Sequence, residues 1–120
     1  MTAPNLKNPI TIIGKTARSG IGTTTAVGIV TNAPGSNKAL KINSIFCANV
    51  DGTNSADISV SIYNGSTDFY LAKTVNVPSD ATQIISTKET YFYLEEGDSI
   101  RAIASATTRL ELVIGYEEIS

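Results

Sequence analysis

Apolar and polar residues alternate along most of this chain. Between residues 38 and 50, Leu40, Ile42, Phe46, Ala48 and Val50 share one parity, while Lys41, Asn43 and Asn49 share the other. A period of two is the spacing of a strand with one buried face. The pattern therefore sends Phe46, Ala48 and Val50 to the core and Asn49 to solvent. The same alternation sets Ile58, Val60 and Ile62 against Ser59 and Ser61. It returns where Leu110, Leu112, Ile114 and Tyr116 oppose Glu111, Gly115 and Glu117. Residues 10–17 and 24–31 are rich in Ile, Val and Thr and predict two more strands, separated by a break at Ser19-Gly20-Ile21-Gly22.

Turn formers punctuate the rest. Asn32-Ala33-Pro34-Gly35-Ser36-Asn37 is a turn cluster. Asn64-Gly65 supplies positive φ angles for a tight hairpin, so residues 57–63 and 68–77 should pair antiparallel. Pro78-Ser79-Asp80, Glu95-Glu96-Gly97-Asp98 and Ala106-Thr107-Thr108 divide the remainder into strands over 82–87, 90–94, 99–105 and 109–119. The Ala-rich stretch 99–107 comes nearest to a helix, but its Ser and Thr residues weaken that assignment. About eight strands, with turns roughly every 8–12 residues, predict an all-β fold: one antiparallel β-sandwich, jelly-roll-like. Residues 1–15 are expected to form an extended N-terminal arm, because Pro4 and Pro9 resist joining a central strand. Residues 16–120 are then the sandwich domain.

Composition narrows the function classes. The 120 residues fit one domain, and 17% charged residues is a low fraction for a soluble domain. A surface built from hydroxyls and amides suits contacts between subunits, where little charge must be desolvated. The net charge is −2 and the nine Lys and Arg are scattered, so nucleic acid is not an expected partner. No run is long and apolar enough to span a membrane, and residues 1–7 lack the apolar core of a signal peptide.

Candidate chemistry is sparse. With no histidine, Ser-His-Asp and Cys-His sites cannot be built. The single cysteine, Cys47, shares the parity of Ile45 and lacks a local cation to activate it, so a packed structural role is expected. Gly14-Lys15-Thr16 resembles the end of a phosphate loop, but Pro9 stands where that motif needs its first glycine. Carboxylates cluster at 51–57, 95–98 and 117–118; the first two are conceivable calcium sites, but 51–57 lacks the spacing of an EF-hand loop and its closing glutamate, and solvated turns are the better reading. No catalytic, cofactor or metal residues are assigned. Aromatic residues gather at Tyr63, Phe69, Tyr70, Tyr91, Phe92 and Tyr93. In Tyr91-Phe92-Tyr93 alternation puts Phe92 on one face and both tyrosines on the other. Such rings can anchor a protein interface or stack on sugars.

The segments Lys41-Ile42-Asn43-Ser44-Ile45, Asn49-Val50-Asp51-Gly52-Thr53-Asn54, Leu94-Glu95-Glu96-Gly97-Asp98-Ser99-Ile100-Arg101 and Tyr116-Glu117-Glu118-Ile119 resemble small all-β virion structural proteins of tailed, often marine, bacteriophages. The resemblance runs from about Asn8 to the end of the chain and carries no active-site residues. It implies a β-sandwich on the particle, assembled in the host cytoplasm. The expectation is a capsid decoration or cement protein, not an enzyme, that forms homo-oligomers and contacts capsid or tail proteins. Leu6, Pro9 and Ile10 of the arm and Tyr63, Tyr70, Tyr91 and Tyr93 of the domain are the expected contact residues. The alternative is a tail or fibre module that recognises host glycans.

Overall fold

A computed structural model describes residues 4–23 and 27–120. Its strands are β1 (Ile12–Ile21), β2 (Val27–Thr31), β3 (Ala39–Asn49), β4 (Ala56–Tyr63), β5 (Asp68–Val77), β6 (Thr82–Ser86), β7 (Phe92–Leu94), β8 (Ser99–Ala104) and β9 (Leu110–Ile119). One turn of 3-10 helix, Lys88–Thr90, separates β6 from β7. Two sheets form, and every strand pair is antiparallel. In the first the order is β1-β9-β3-β6, with β7 also on β3. In the second it is β2-β8-β4-β5. Because β6 and β7 pair with successive stretches of β3, they share one strand position. The described residues thus fill eight strand positions, crossing between sheets as a jelly-roll does, and the predicted all-β sandwich is the observed fold.

Inward-facing residues of both sheets fill the space between them. Ile42, Ile45, Leu112 and Ile114 of the first sheet and Ile58, Val60 and Ile100 of the second are completely buried. Apolar burial of this kind is worth roughly 25 cal/mol per Å2, which makes the packed layer the main source of stability.

The alternation in β3 breaks at one point. Ile42 pairs with Tyr116 and Ser44 with Gly115, which leaves Asn43 as an extra residue, a β-bulge. Past the bulge the parity inverts. Ile45, Cys47 and Asn49 turn inward, and Phe46 and Val50 face solvent. The expected core places of Phe46, Ala48 and Val50, and the expected exposure of Asn49, are therefore overturned. Gly115 sits opposite the bulge, where a Cβ would come within 3.0 Å of Ser44 Oγ.

Two boundaries also differ from expectation. β1 pairs with β9 over its whole length, from Ile12↔Ile119 to Ile21↔Leu110, so residues 12–15, assigned to the arm, belong to the sandwich. The β-branched pair Ile12-Ile13 and the lack of proline between 10 and 21 favour this extension. The break predicted at residues 19–22 does not interrupt the strand, since an edge strand tolerates Gly20. Of the expected strand 24–31, residues 24–26 lie outside the described residues, as do residues 1–3 of the arm.

The Asn64-Gly65 hairpin joins β4 to β5 as predicted, through a longer loop. Asn64 N–H donates to Thr67 C=O (3.2 Å), and Asn64 Oδ1 accepts from the amides of Ser66 and Thr67 (3.0 and 2.8 Å). Only Gly65 takes positive φ there (98°). The side-chain acceptor does the work that a second positive φ would do in a two-residue turn.

Candidate interaction surfaces

The N-terminal segment leaves the sandwich beside the last residue. The amides of Ile10 and Thr11 both donate to Ser120 C=O (2.6 and 3.0 Å), and Ser120 N–H donates back to Thr11 C=O (2.9 Å). The Thr11 and Ser120 hydroxyls also touch. Beyond this tie, Leu6 is exposed, Pro9 is half-buried and Ile10 is 92% exposed. Ile12 and Ile13 continue the apolar run onto β1, which pairs only with β9 and presents its other edge unpaired among the described residues. Unpaired edges carry backbone donors and acceptors available to another chain.

A carboxylate clamps the start of that edge strand. Glu118 on β9 takes Lys38 Nζ on one oxygen (2.6 Å) and Lys15 Nζ on the other (3.0 Å). The hydrogen bonds from Lys38 and then Lys15 hold the Glu118 carboxyl below its ordinary value of 4.5, and Glu118 in turn raises the Lys15 ammonium. A depressed carboxyl pKa contributes stability that is complete above the unfolded value and is lost as pH falls through the folded one. The clamp should therefore weaken below about pH 4.5. Thermal melts taken downward from pH 6 should fall less steeply for Glu118→Gln than for the native chain; parallel pH profiles would show that the clamp adds nothing.

The four expected contact tyrosines divide between the two sheets. Tyr91 and Tyr93 lie on the outer side of the first, edge to face at 5.9 Å, with Lys41 Nζ 4.4 Å from the Tyr91 ring centre. Tyr63 and Tyr70 lie on the outer side of the second. Tyr63 is half-buried beneath the Arg101 guanidinium (4.0 Å), and Lys73 Nζ sits 4.2 Å from the Tyr70 ring. Arg101 Nε approaches Asp68 Oδ1 (3.5 Å), which also accepts from Ser61 Oγ (2.8 Å). The structure thus makes two separate aromatic patches, and a cation already covers a face of Tyr63, Tyr70 and Tyr91.

A third surface escaped sequence reasoning. The bulge turns Phe46 outward, beside Ile84 on β6 and Val113 on β9. These three are 39%, 51% and 38% exposed. The one readable hint was Val113, an apolar residue on the parity of β9 that carries Glu111 and Glu117. Nothing in the sequence marked Asn43 as a bulge, so Phe46 was not legible as a surface residue.

Cys47 and Asp51 are both committed to contacts within the fold. Cys47 is fully buried, and burial pushes its thiol up to about 11, far from the thiolate a nucleophile needs. Asp51 spends one oxygen on the amides of Thr53 and Asn54 (2.8 and 3.0 Å), and these hydrogen bonds hold its carboxyl below the usual range. Its other oxygen faces Arg109 Nε (3.3 Å). Among the described residues no three Cys, Asp or Glu side chains gather as a metal site. No helix among them is long and apolar enough to cross a membrane.

No protein-family model matches the chain, and no curated protein matches it. Among solved structures it is similar to the Eiger TNF of S. frugiperda, at 12% identity and a TM-score of 0.38, over 94% of this chain and 93% of that one.

Proposed function

We propose that this chain is a bacteriophage virion structural protein, a capsid decoration or cement protein that binds and stabilises the particle. The resemblance of its strand and turn segments to tailed-phage virion proteins suggests the class. One structural observation favours passive attachment: the apolar residues Leu6, Ile10, Ile12 and Ile13 are exposed and lead along a strand whose outer edge is unpaired among the described residues. Apolar side chains held in water at a tied-down chain end gain free energy when a neighbouring protein covers them. A strand edge adds backbone hydrogen bonds to the same contact. Repeated around a particle, weak single contacts sum by multivalency. Deleting residues 1–9 tests this. Removal should reduce retention on particles in a pull-down at least about tenfold, a loss of about 1.4 kcal/mol per contact. Undiminished retention would refute the arm's role.

A second reading, a tail-associated glycan-binding module, draws on the exposed pair Tyr91 and Tyr93 beside Lys41. Aromatic faces stack on sugars. Binding on a glycan array that disappears in Tyr91→Ala would favour this reading over attachment to capsid.

A further inference from the structure

Two neighbouring rows of side chains cross the outer face of the first sheet. Register places Ile84, Phe46, Val113 and Arg18 side by side on β6, β3, β9 and β1. Two residues along each strand lies the second row, Thr82, Ala48, Glu111 and Gly20. The first row is bulky; the second is small except at Glu111. Arg18 and Glu111 are exposed, and neither side chain makes an ion pair or hydrogen bond among the described residues. Beside Gly20 the surface dips into an open hollow of about 300 Å3, lined by Arg18, Ser19, Gly20, Glu111, Leu112 and Val113. A Cβ on Gly20 would meet nothing within 4 Å, and its φ lies outside the left-handed region. Folding therefore does not demand glycine at this position, and its missing side chain helps keep the hollow open.

We infer that a second copy of this chain packs on this face, sheet against sheet, about a two-fold axis that runs across the strands between the two rows. That operation lays the bulky row of each copy on the small row of the other. Ile84 meets the second copy's Thr82, Phe46 meets its Ala48, and Arg18 enters the hollow over its Gly20. There Arg18 comes beside the second copy's Glu111, so the two charges left unpaired within one chain pair between chains, once on each side of the axis. Facing sheets pack about 10 Å apart with strands nearly aligned, a spacing that side chains of this size fill. The molecule measures 48 × 27 × 18 Å. Its broad face exceeds the ~800 Å2 per partner that a stable interface buries. The inference deepens the virion reading, in which copies act together, and rests on it for its biological meaning.

Sedimentation velocity on the full chain, from roughly 1 to 100 µM, tests the contact. The native chain should dimerise. Gly20→Gln fills the hollow and should weaken dimerisation at least about tenfold without lowering the thermal midpoint of protein dilute enough to be monomeric. Arg18→Glu alone should weaken it similarly by placing two glutamates together, and Arg18→Glu with Glu111→Arg should restore it. A native chain that stays monomeric, a Gly20→Gln variant that still dimerises, or a double exchange without recovery overturns the inference. Particle retention of the same variants is measured separately. Loss of dimers with retention intact leaves the virion reading standing, and dimers without retention leave the contact standing.

Discussion

Truncating Ile45 to alanine is expected to cost about 3 kcal/mol of stability, and truncating its neighbour Phe46 less than about 1 kcal/mol. The larger residue should matter less. Ile45 is fully buried between the sheets, on the inward side of β3 after the Asn43 bulge. Its loss removes transfer free energy and leaves a cavity that a close-packed core cannot collapse around. Phe46 points the other way, against Ile84 and Val113 and partly into water. Urea unfolding of dilute protein, with unchanged slope in both variants, measures the two costs without any contribution from self-association. Uninterrupted alternation along β3 predicts the reverse order, so a greater loss for Phe46→Ala would mean that the bulge is not there.

That comparison marks where the sequence stopped being legible. Strands without irregularity were readable residue by residue: Ile58 and Val60 in β4, and Leu110, Leu112 and Ile114 in β9, face the core as their parity requires. Turns with strong chemistry, such as Asn64-Gly65 and the Gly97 turn, fell where expected. A one-residue bulge is invisible in local alternation, because side-chain period is two and a single insertion exchanges the faces of everything beyond it. Phe46 and Asn49 were misplaced together for that single reason. The separation of the tyrosines into two patches depends on which strands share a sheet, and pairing across the chain is not written in local pattern. The outer-face rows are further still from the sequence, since they join residues of four strands.

Asn49, moved from surface to interior by the bulge, leads to the second large expected effect, which it shares with Asn32. Both are buried asparagines that fasten loops to strands. Asn32 Nδ2 donates to Lys38 C=O and Leu94 C=O (2.8 and 2.9 Å), and its Oδ1 accepts from Ser36 Oγ (2.5 Å). Asn49 Nδ2 donates to Asn54 C=O and Val77 C=O (both 3.0 Å), and its Oδ1 accepts from Asp51 N–H (2.9 Å). Alanine at either site takes the donor from one buried carbonyl, Leu94 or Val77, and from one part-buried carbonyl, Lys38 or Asn54, and a buried polar group that loses its partner costs about 1–3 kcal/mol. Each single variant should therefore lose about 2–4 kcal/mol, a large share of the 5–15 kcal/mol typical of a domain. Aspartate at residue 32 separates hydrogen bonding from shape. It keeps the volume but aims a carboxylate at two carbonyl oxygens, so its charged form is disfavoured and its folded pKa rises. A raised carboxyl pKa means the folded state takes up a proton first, so the deficit of Asn32→Asp relative to the native chain should shrink as pH falls. The deficit of Asn32→Ala should not change with pH. If the two variants track one another from pH 7 to pH 4 in chemical denaturation, the donated hydrogen bonds of Asn32 are not what holds the loop.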